Sequence, residues 1–143
     1  MNKKRFSVLL LALALVFALA ACGGNKDKEP VKVDLAAFAQ TLTEKYEISG
    51  FLERMDPEDA DMGATMIDNT FPGLREMDLE QMEIYLCMVS FNTGEFSLVE
   101  AKNADDAKAV ADLFQTRIDS MTDEGKHYPE AISYLQNNAK IMT

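Results

Sequence analysis

The densest group of side chains that could do chemistry is an acidic segment, residues 56–61, which reads Asp-Pro-Glu-Asp-Ala-Asp. Carboxylate oxygens are the ligands that Ca²⁺ prefers, and the ion takes about six to eight of them. The spacing does not reproduce the helix-loop-helix calcium motif, which needs alternating ligands, a central Gly and a terminal bidentate Glu. We therefore predict a solvated acidic loop and keep cation or small-ligand binding by loop 56–61 as an alternative.

A thiol and an imidazole are the next reactive groups. Cys87 lies inside an apolar run, residues 84–89, and His127, the one histidine of the chain, follows forty residues later in a polar turn. A nucleophilic thiol needs a neighbouring base that lowers its pKa, and nothing in the sequence brings these two residues together. We predict that Cys87 is a buried small hydrophobic residue. No catalytic motif and no cofactor or metal motif is present, so the chain is predicted not to be an enzyme.

The N-terminal leader has the layout of a secretory signal peptide. A cationic start with Lys3, Lys4 and Arg5 precedes an apolar run, residues 6–21, and Cys22 follows directly. The run is shorter than the roughly 20 residues that a helix needs to cross a bilayer. The leader therefore predicts export, with a permanent membrane-spanning anchor as the weaker alternative.

The residues before this cysteine, Leu19-Ala20-Ala21-Cys22, match the lipobox of bacterial lipoprotein precursors. In those precursors a diacylglyceryl group is attached to the cysteine through a thioether, and a peptidase then cuts just before it. The match implies that residues 1–21 are a lipoprotein signal peptide and that Cys22 becomes the lipidated N-terminus. Two acyl chains give durable membrane attachment where one gives only marginal binding. An ordinary signal peptide cleaved near Cys22 is the alternative interpretation.

The charge balance restricts the partners. Removing residues 1–21 takes away three basic side chains of 14, which leaves 11 basic and 24 acidic side chains and a net charge of −13. Nucleic-acid binding requires clusters of Lys and Arg, so this class is excluded. Like charges also oppose close contact with an anionic bilayer surface. We predict contact with the membrane through the lipid on Cys22, and an envelope protein as a further partner.

The remaining chain predicts a lipidated tether, residues 22–33, and one α+β domain, residues 34–143. Asp34 caps an amphipathic helix over 35–46, and residues 47–78 carry breakers and no clear periodicity. A β-hairpin is predicted over 84–101, and the apolar faces of its first strand indicate a central position in a small antiparallel sheet. Amphipathic helices over 103–123 and from Pro129 onward pack against it. A third strand is predicted at the C-terminus, beginning at residues 140–143.

Three of these segments also resemble a known family. The first is the hairpin. The second is the helix that begins with Asn103-Ala-Asp-Asp-Ala and carries Arg117 near its end. The third is the C-terminal segment, which contains Tyr128-Pro-Glu130 and Leu135-Gln-Asn-Asn138. Over roughly residues 35–143 they resemble a small family of Gram-positive lipoproteins that carry a domain of unknown function. The resemblance implies secretion, a lipid anchor and an α+β fold, and it implies no activity.

Three function classes remain open. We favour a lipid-anchored domain on the extracytoplasmic face of the cell membrane that binds or assists another envelope component without catalysis. The second class is a small-ligand or cation-binding lipoprotein that uses loop 56–61. The third is a cell-envelope enzyme, for which the sequence offers no converging nucleophile, base and orienting group.

Overall fold

The computed structural model describes residues 32–47, 50–88, 94–123 and 127–143. Four α-helices, one short 3₁₀ helix and a three-stranded sheet make up this part of the chain, as the predicted α+β class requires. The elements in chain order are α1 (Leu35–Lys45), β1 (Leu52–Met55), α2 (Gly63–Thr70), the 3₁₀ helix (Leu74–Glu76), β2 (Leu79–Cys87), β3 (Glu95–Ala101), α3 (Ala104–Met121) and α4 (Pro129–Asn138).

The sheet is antiparallel with the order β1-β2-β3, so β2 is the central strand. Leu52 pairs with Cys87 and Met55 pairs with Ile84, which sets β1 beside the second half of β2. Tyr85 pairs with Phe96, and their rings stack with centroids 4.5 Å apart. The prediction that the first hairpin strand is central and covered on both faces is confirmed.

Two apolar clusters form on the two faces of the sheet, because successive strand residues point to opposite sides. On one face, α2, the 3₁₀ helix and α3 cover the strands. The buried members of this cluster are Met55, Ile67, Phe71, Leu74, Ile84, Leu86, Val99, Val110 and Phe114. On the other face, α1 covers the strands, and the buried members are Leu35, Ala39, Leu52, Phe96 and Leu98.

Side-chain caps begin the two helices that the sequence predicted most clearly. The Asp34 carboxylate accepts a hydrogen bond from the Ala37 N–H at 3.0 Å, and Asn103 Oδ1 accepts one from the Asp106 N–H at 2.9 Å. Such caps satisfy N–H groups that the first helical turn leaves without partners. Beyond the last residue of α1, Glu47 adopts the left-handed conformation with φ 53°, a position that glycine usually takes.

Two details differ from the predictions. The third strand is β1, Leu52–Met55, whereas residues 139–143 form no strand, so the predicted C-terminal position was wrong. β1 is four residues long and its two middle residues, Glu53 and Arg54, are exposed, which left no apolar alternation for the sequence to show. Strand β2 begins at Leu79, whereas the prediction began it at residue 84. The prediction missed the first half of the strand because that half carries the polar residues Glu80, Gln81 and Glu83.

The inward face of α3 gives the first testable prediction. Val110 is completely buried between α3 and the sheet. The variant Val110→Asp should lose several kcal/mol of unfolding free energy, because an unpaired charge is expensive to bury. Lys108→Asp, two residues earlier on the exposed side of α3, should melt within a few degrees of wild type. Thermal denaturation followed by circular dichroism compares the two, and equal melting temperatures would show that α3 faces the other way.

Candidate functional site

Two carboxylates of the acidic loop, residues 56–61, accept hydrogen bonds from the local backbone. Asp59 Oδ1 accepts hydrogen bonds from the N–H groups of Asp61 at 3.1 Å and Met62 at 3.4 Å. Asp59 Oδ2 accepts one from the Gly63 N–H at 3.4 Å, and Asp56 Oδ1 accepts one from the Glu58 N–H at 3.0 Å. The three donors to Asp59 lie just before and at the first residue of α2, where N–H groups lack helical partners. The loop therefore caps a helix.

Close backbone contact also fixes this loop. A Cβ atom placed on Gly63 would lie 2.0 Å from the carbonyl oxygen of Asp56, so a side chain at this position has no room. On its other side, Arg75 Nη1 donates to the Pro57 carbonyl at 2.9 Å, and its Nε donates to Asp68 at 2.8 Å. This hydrogen bond from Arg75 holds the pKa of Asp68 below its ordinary value. The loop is thus held at both ends by contacts within the protein.

No group of three or more His, Cys, Asp or Glu side chains in the described part of the chain is arranged to hold a metal ion. The carboxylates of residues 56 and 59 already accept backbone hydrogen bonds, which leaves fewer oxygens for a cation. The sequence alternative of cation binding by loop 56–61 gains no support from this geometry.

The hydrogen bonds to Asp59 give a pH-dependent prediction. Backbone N–H groups of Gly63, Asp61 and Met62 lower the pKa of this carboxyl below 3.8, its ordinary value. A group with a lowered folded-state pKa stabilises the protein above its unfolded pKa and loses that contribution as the pH falls through the folded pKa. Asp59→Asn should therefore melt below wild type at neutral pH, and the difference should shrink once the pH falls below 3.8.

The matched control is Asp61→Asn, which removes the same charge from a side chain that accepts no hydrogen bond from the described residues. Its melting temperature should differ little from wild type at either pH. A constant difference between Asp59→Asn and wild type from neutral to acidic pH would contradict the prediction.

Cys87 lies at the end of β2, half-buried against the cluster beneath α1, and forms no disulfide within the described residues. The prediction that Cys87 is buried was therefore wrong in degree, since the residue is only partly buried among apolar neighbours. His127 is exposed in the turn before α4. No contact between the two is among the interactions of the described residues.

A polar network that the sequence did not reveal lies on the α1 face of the sheet. Arg54 of β1 donates through Nε and Nη2 to the two carboxylate oxygens of Glu83, at 2.7 and 3.0 Å. The Glu83 side chain is only 7% exposed, whereas that of Arg54 is 43% exposed. The bidentate hydrogen bond raises the pKa of Arg54. Burial, with a smaller effect of Glu83, raises the pKa of Tyr85 beside the pair.

Gln81, two residues before Glu83 on the same face of β2, binds the start of α1. Its side-chain oxygen accepts from the Leu35 N–H at 2.9 Å, and its amide nitrogen donates to the Val33 carbonyl at 2.8 Å and to Glu100 at 2.6 Å. The side chain thus binds the first helical N–H and the carbonyl two residues before it. Gln81 fixes the place where the chain enters the domain.

Unequal exposure of Arg54 and Glu83 gives the third prediction. Arg54→Ala leaves a buried carboxylate without a counter-charge and should cost about 2–4 kcal/mol of unfolding free energy. Glu83→Gln leaves a half-exposed guanidinium that water can solvate, so its cost should be smaller. The double variant should be more stable than Arg54→Ala alone, as urea denaturation would measure. The prediction would be contradicted if the two single variants lost equal free energies of unfolding and the double variant lost their sum. Burial of Glu83 would then not determine the stability of the pair.

Two surfaces expose residues that a ligand or partner could contact. One is the outer face of α4, a shallow and open depression lined by Pro129, Glu130, Ser133, Tyr134, Asn137 and Asn138. The two asparagine side chains donate to helix carbonyls four residues earlier, at 2.6 and 2.7 Å. The other surface is the end of the sheet beyond the Leu52–Cys87 pair, where Phe51 and Met88 are exposed.

The predicted lipidation site, Cys22, and the signal peptide lie outside the described residues. Among the helices of residues 32–47, 50–88, 94–123 and 127–143, none is long and apolar enough to cross a membrane.

Comparison with known proteins identifies the family. The family model of DUF4358, a domain of unknown function, matches residues 55–143, which is more than half of the chain. The chain therefore belongs to the DUF4358 family, and the predicted relationship to a domain of unknown function is confirmed. The match begins at the last residue of β1, so α1 precedes it. No curated protein and no solved structure matches the chain.

Proposed function

We propose that this member of the DUF4358 family is a lipoprotein of the Gram-positive type, anchored to the extracytoplasmic face of the cell membrane through Cys22, whose domain binds an envelope protein without catalysing a reaction. The observation that carries the proposal is the sequence Leu19-Ala20-Ala21-Cys22 at the end of a cationic and apolar leader. Thioether-linked acyl chains on Cys22 would hold the protein at the bilayer.

The attachment of α1 supports this arrangement. A tether of residues 23–33 would join the lipid to α1, and it contains Gly23, Gly24 and charged residues, a composition typical of flexible linkers. Gln81 binds Val33 and Leu35 where this tether would end. The chain is therefore fixed to the central strand within two residues of its entry into the domain.

The use of the charged side chains supports a binding domain rather than an enzyme. Arginine and lysine side chains at four sites form ion pairs that join structural elements, and the pairs are Arg54–Glu83, Arg75–Asp68, Lys102–Asp78 and Arg117–Glu95. Three of these pairs join residues 22 to 29 positions apart, and Arg75–Asp68 joins α2 to the 3₁₀ helix that follows it. These groups maintain the fold. None of them lies in a cleft with an unpaired side chain, as expected of a catalytic acid or base.

Substitution of Cys22 tests the anchor. Cys22→Ser removes the thiol that the acyl group needs, so the protein should lose incorporation of a labelled fatty acid and should leave the membrane fraction. Cys87→Ser is the matched control, because it removes the other cysteine and should change neither property. Both are measured by metabolic labelling with an alkyne fatty acid and by detergent phase partition. Labelling and membrane fractionation of Cys22→Ser equal to wild type would overturn the proposal.

A further inference from the structure

One of the two covers of the sheet comes from outside the segment that the family model matches. The larger apolar cluster, beneath α2, the 3₁₀ helix and α3, lies entirely within residues 55–143. In the smaller cluster, the members that do not belong to the sheet all come from residues 33–42, before that segment. The strand residues that α1 covers form the α1 face, and they are Leu52, Tyr85, Cys87, Phe96 and Leu98.

Helix α1 binds this face through contacts that another helix could make. Gln81 accepts a hydrogen bond from the Leu35 N–H at 2.9 Å and donates one to the Val33 carbonyl at 2.8 Å. Both are backbone groups, so Gln81 binds the beginning of a helix whatever its side chains are. The buried stripe of α1 is Leu35, Ala39 and Thr43, at four-residue spacing. The face therefore selects an amphipathic helix with a small residue four positions after its first apolar one.

The polar groups beneath α1 are satisfied without it. Arg54 and Glu83 bind each other, and the Gln81 amide also donates to Glu100. The ion pairs among the described residues join other elements, and none of them includes a residue of α1. Departure of α1 would thus leave no buried charge without its partner, and water could reach Gln81. The cost of opening falls on the apolar side chains of the smaller cluster.

We propose that α1 is a displaceable cover and that the α1 face is the docking surface for an amphipathic helix of the envelope partner, which takes the place of α1. The proposal rests on the envelope-protein binding proposed above and names the surface that performs it. Helix α1 competes with the partner, because its link to β1 holds it at an effective concentration of about millimolar order. The apparent affinity for a partner helix is therefore reduced by the fraction of molecules in which α1 is detached.

The probe is a fluorescent synthetic peptide of residues 33–46 with blocked termini, which carries the helix that fits this face. Its binding to the full-length protein in nanodiscs is measured by fluorescence anisotropy. Ala39→Asp in the full-length protein puts a charge at a completely buried position of α1, so α1 should detach and open the face. The peptide should bind this variant at least about tenfold more tightly than wild type. A peptide that itself carries Ala39→Asp should not bind.

Ala36→Asp is the matched control, because it makes the same substitution on the exposed side of α1. Its affinity for the peptide should equal that of wild type. Equal affinities of Ala39→Asp and Ala36→Asp would overturn the proposal. A dimer of wild type in sedimentation, dissociated by the added peptide, would instead assign the α1 face to α1 of a second copy.

Hydrogen exchange measured by mass spectrometry shows whether α1 detaches alone. In Ala39→Asp, the amides of α1 should lose protection while those of α3 keep it, because the larger cluster contains no residue of α1. In wild type, the amides of α1 should exchange faster than those of α3. Simultaneous loss of protection in α1 and α3 of the variant would contradict a displaceable cover, as would equal protection of the two helices in wild type.

The same binding measurement on the double variant Cys22→Ser, Ala39→Asp separates this proposal from the anchor. Peptide binding that survives the loss of Cys22 would support the docking surface whatever the variant's fractionation shows. Fatty-acid labelling of Cys22 without peptide binding to Ala39→Asp would overturn the docking surface and leave the anchor standing.

Discussion

Burial of β2 on both faces is the constraint on which the rest of the structure depends. A strand that has no face towards water must find cover on both sides, and a three-stranded sheet of this size cannot supply it alone. Helices α2 and α3 supply one cover and α1 supplies the other. The position of α1 is therefore a requirement of the central strand, even though α1 lies outside the segment that the family model matches.

The same constraint explains the polar network beneath α1. Glu83 lies on the covered face of β2, where an isolated carboxylate would be costly, and Arg54 reaches it from the neighbouring strand with two hydrogen bonds. Gln81, two residues earlier on the same face, uses its amide to satisfy the N–H and carbonyl groups at the start of α1. Polar side chains in a covered strand thus fix the strand register and the helix position. Their hydrogen bonds require a specific geometry, whereas apolar packing is less specific.

Sequence patterns predicted the elements whose signals are local. Asp34 and Asn103 identified the starts of α1 and α3 because their caps act within one helical turn, and Pro129 identified the start of α4. Patterns failed over residues 47–78, where β1 is short and charged and α2 is capped from a distance by Asp59 rather than by its own first residue. The Arg54–Glu83 pair could not be predicted from the sequence either, because only the strand register brings these residues, 29 positions apart, into contact.

The separation in sequence between paired elements also determines the order in which the domain can assemble. Strands β2 and β3 and helix α3 are consecutive, so their contacts need little loop closure, whereas Leu52 meets Cys87 and Leu35 meets Gln81 only after long loops close. We therefore expect the hairpin and α3 to form first and α1 to dock late. Until it does, Leu98 and Phe96 stand uncovered on the sheet. In the proposed anchored form, a force on the tether would reach α1 first, so we expect the last element to dock to be the first to detach.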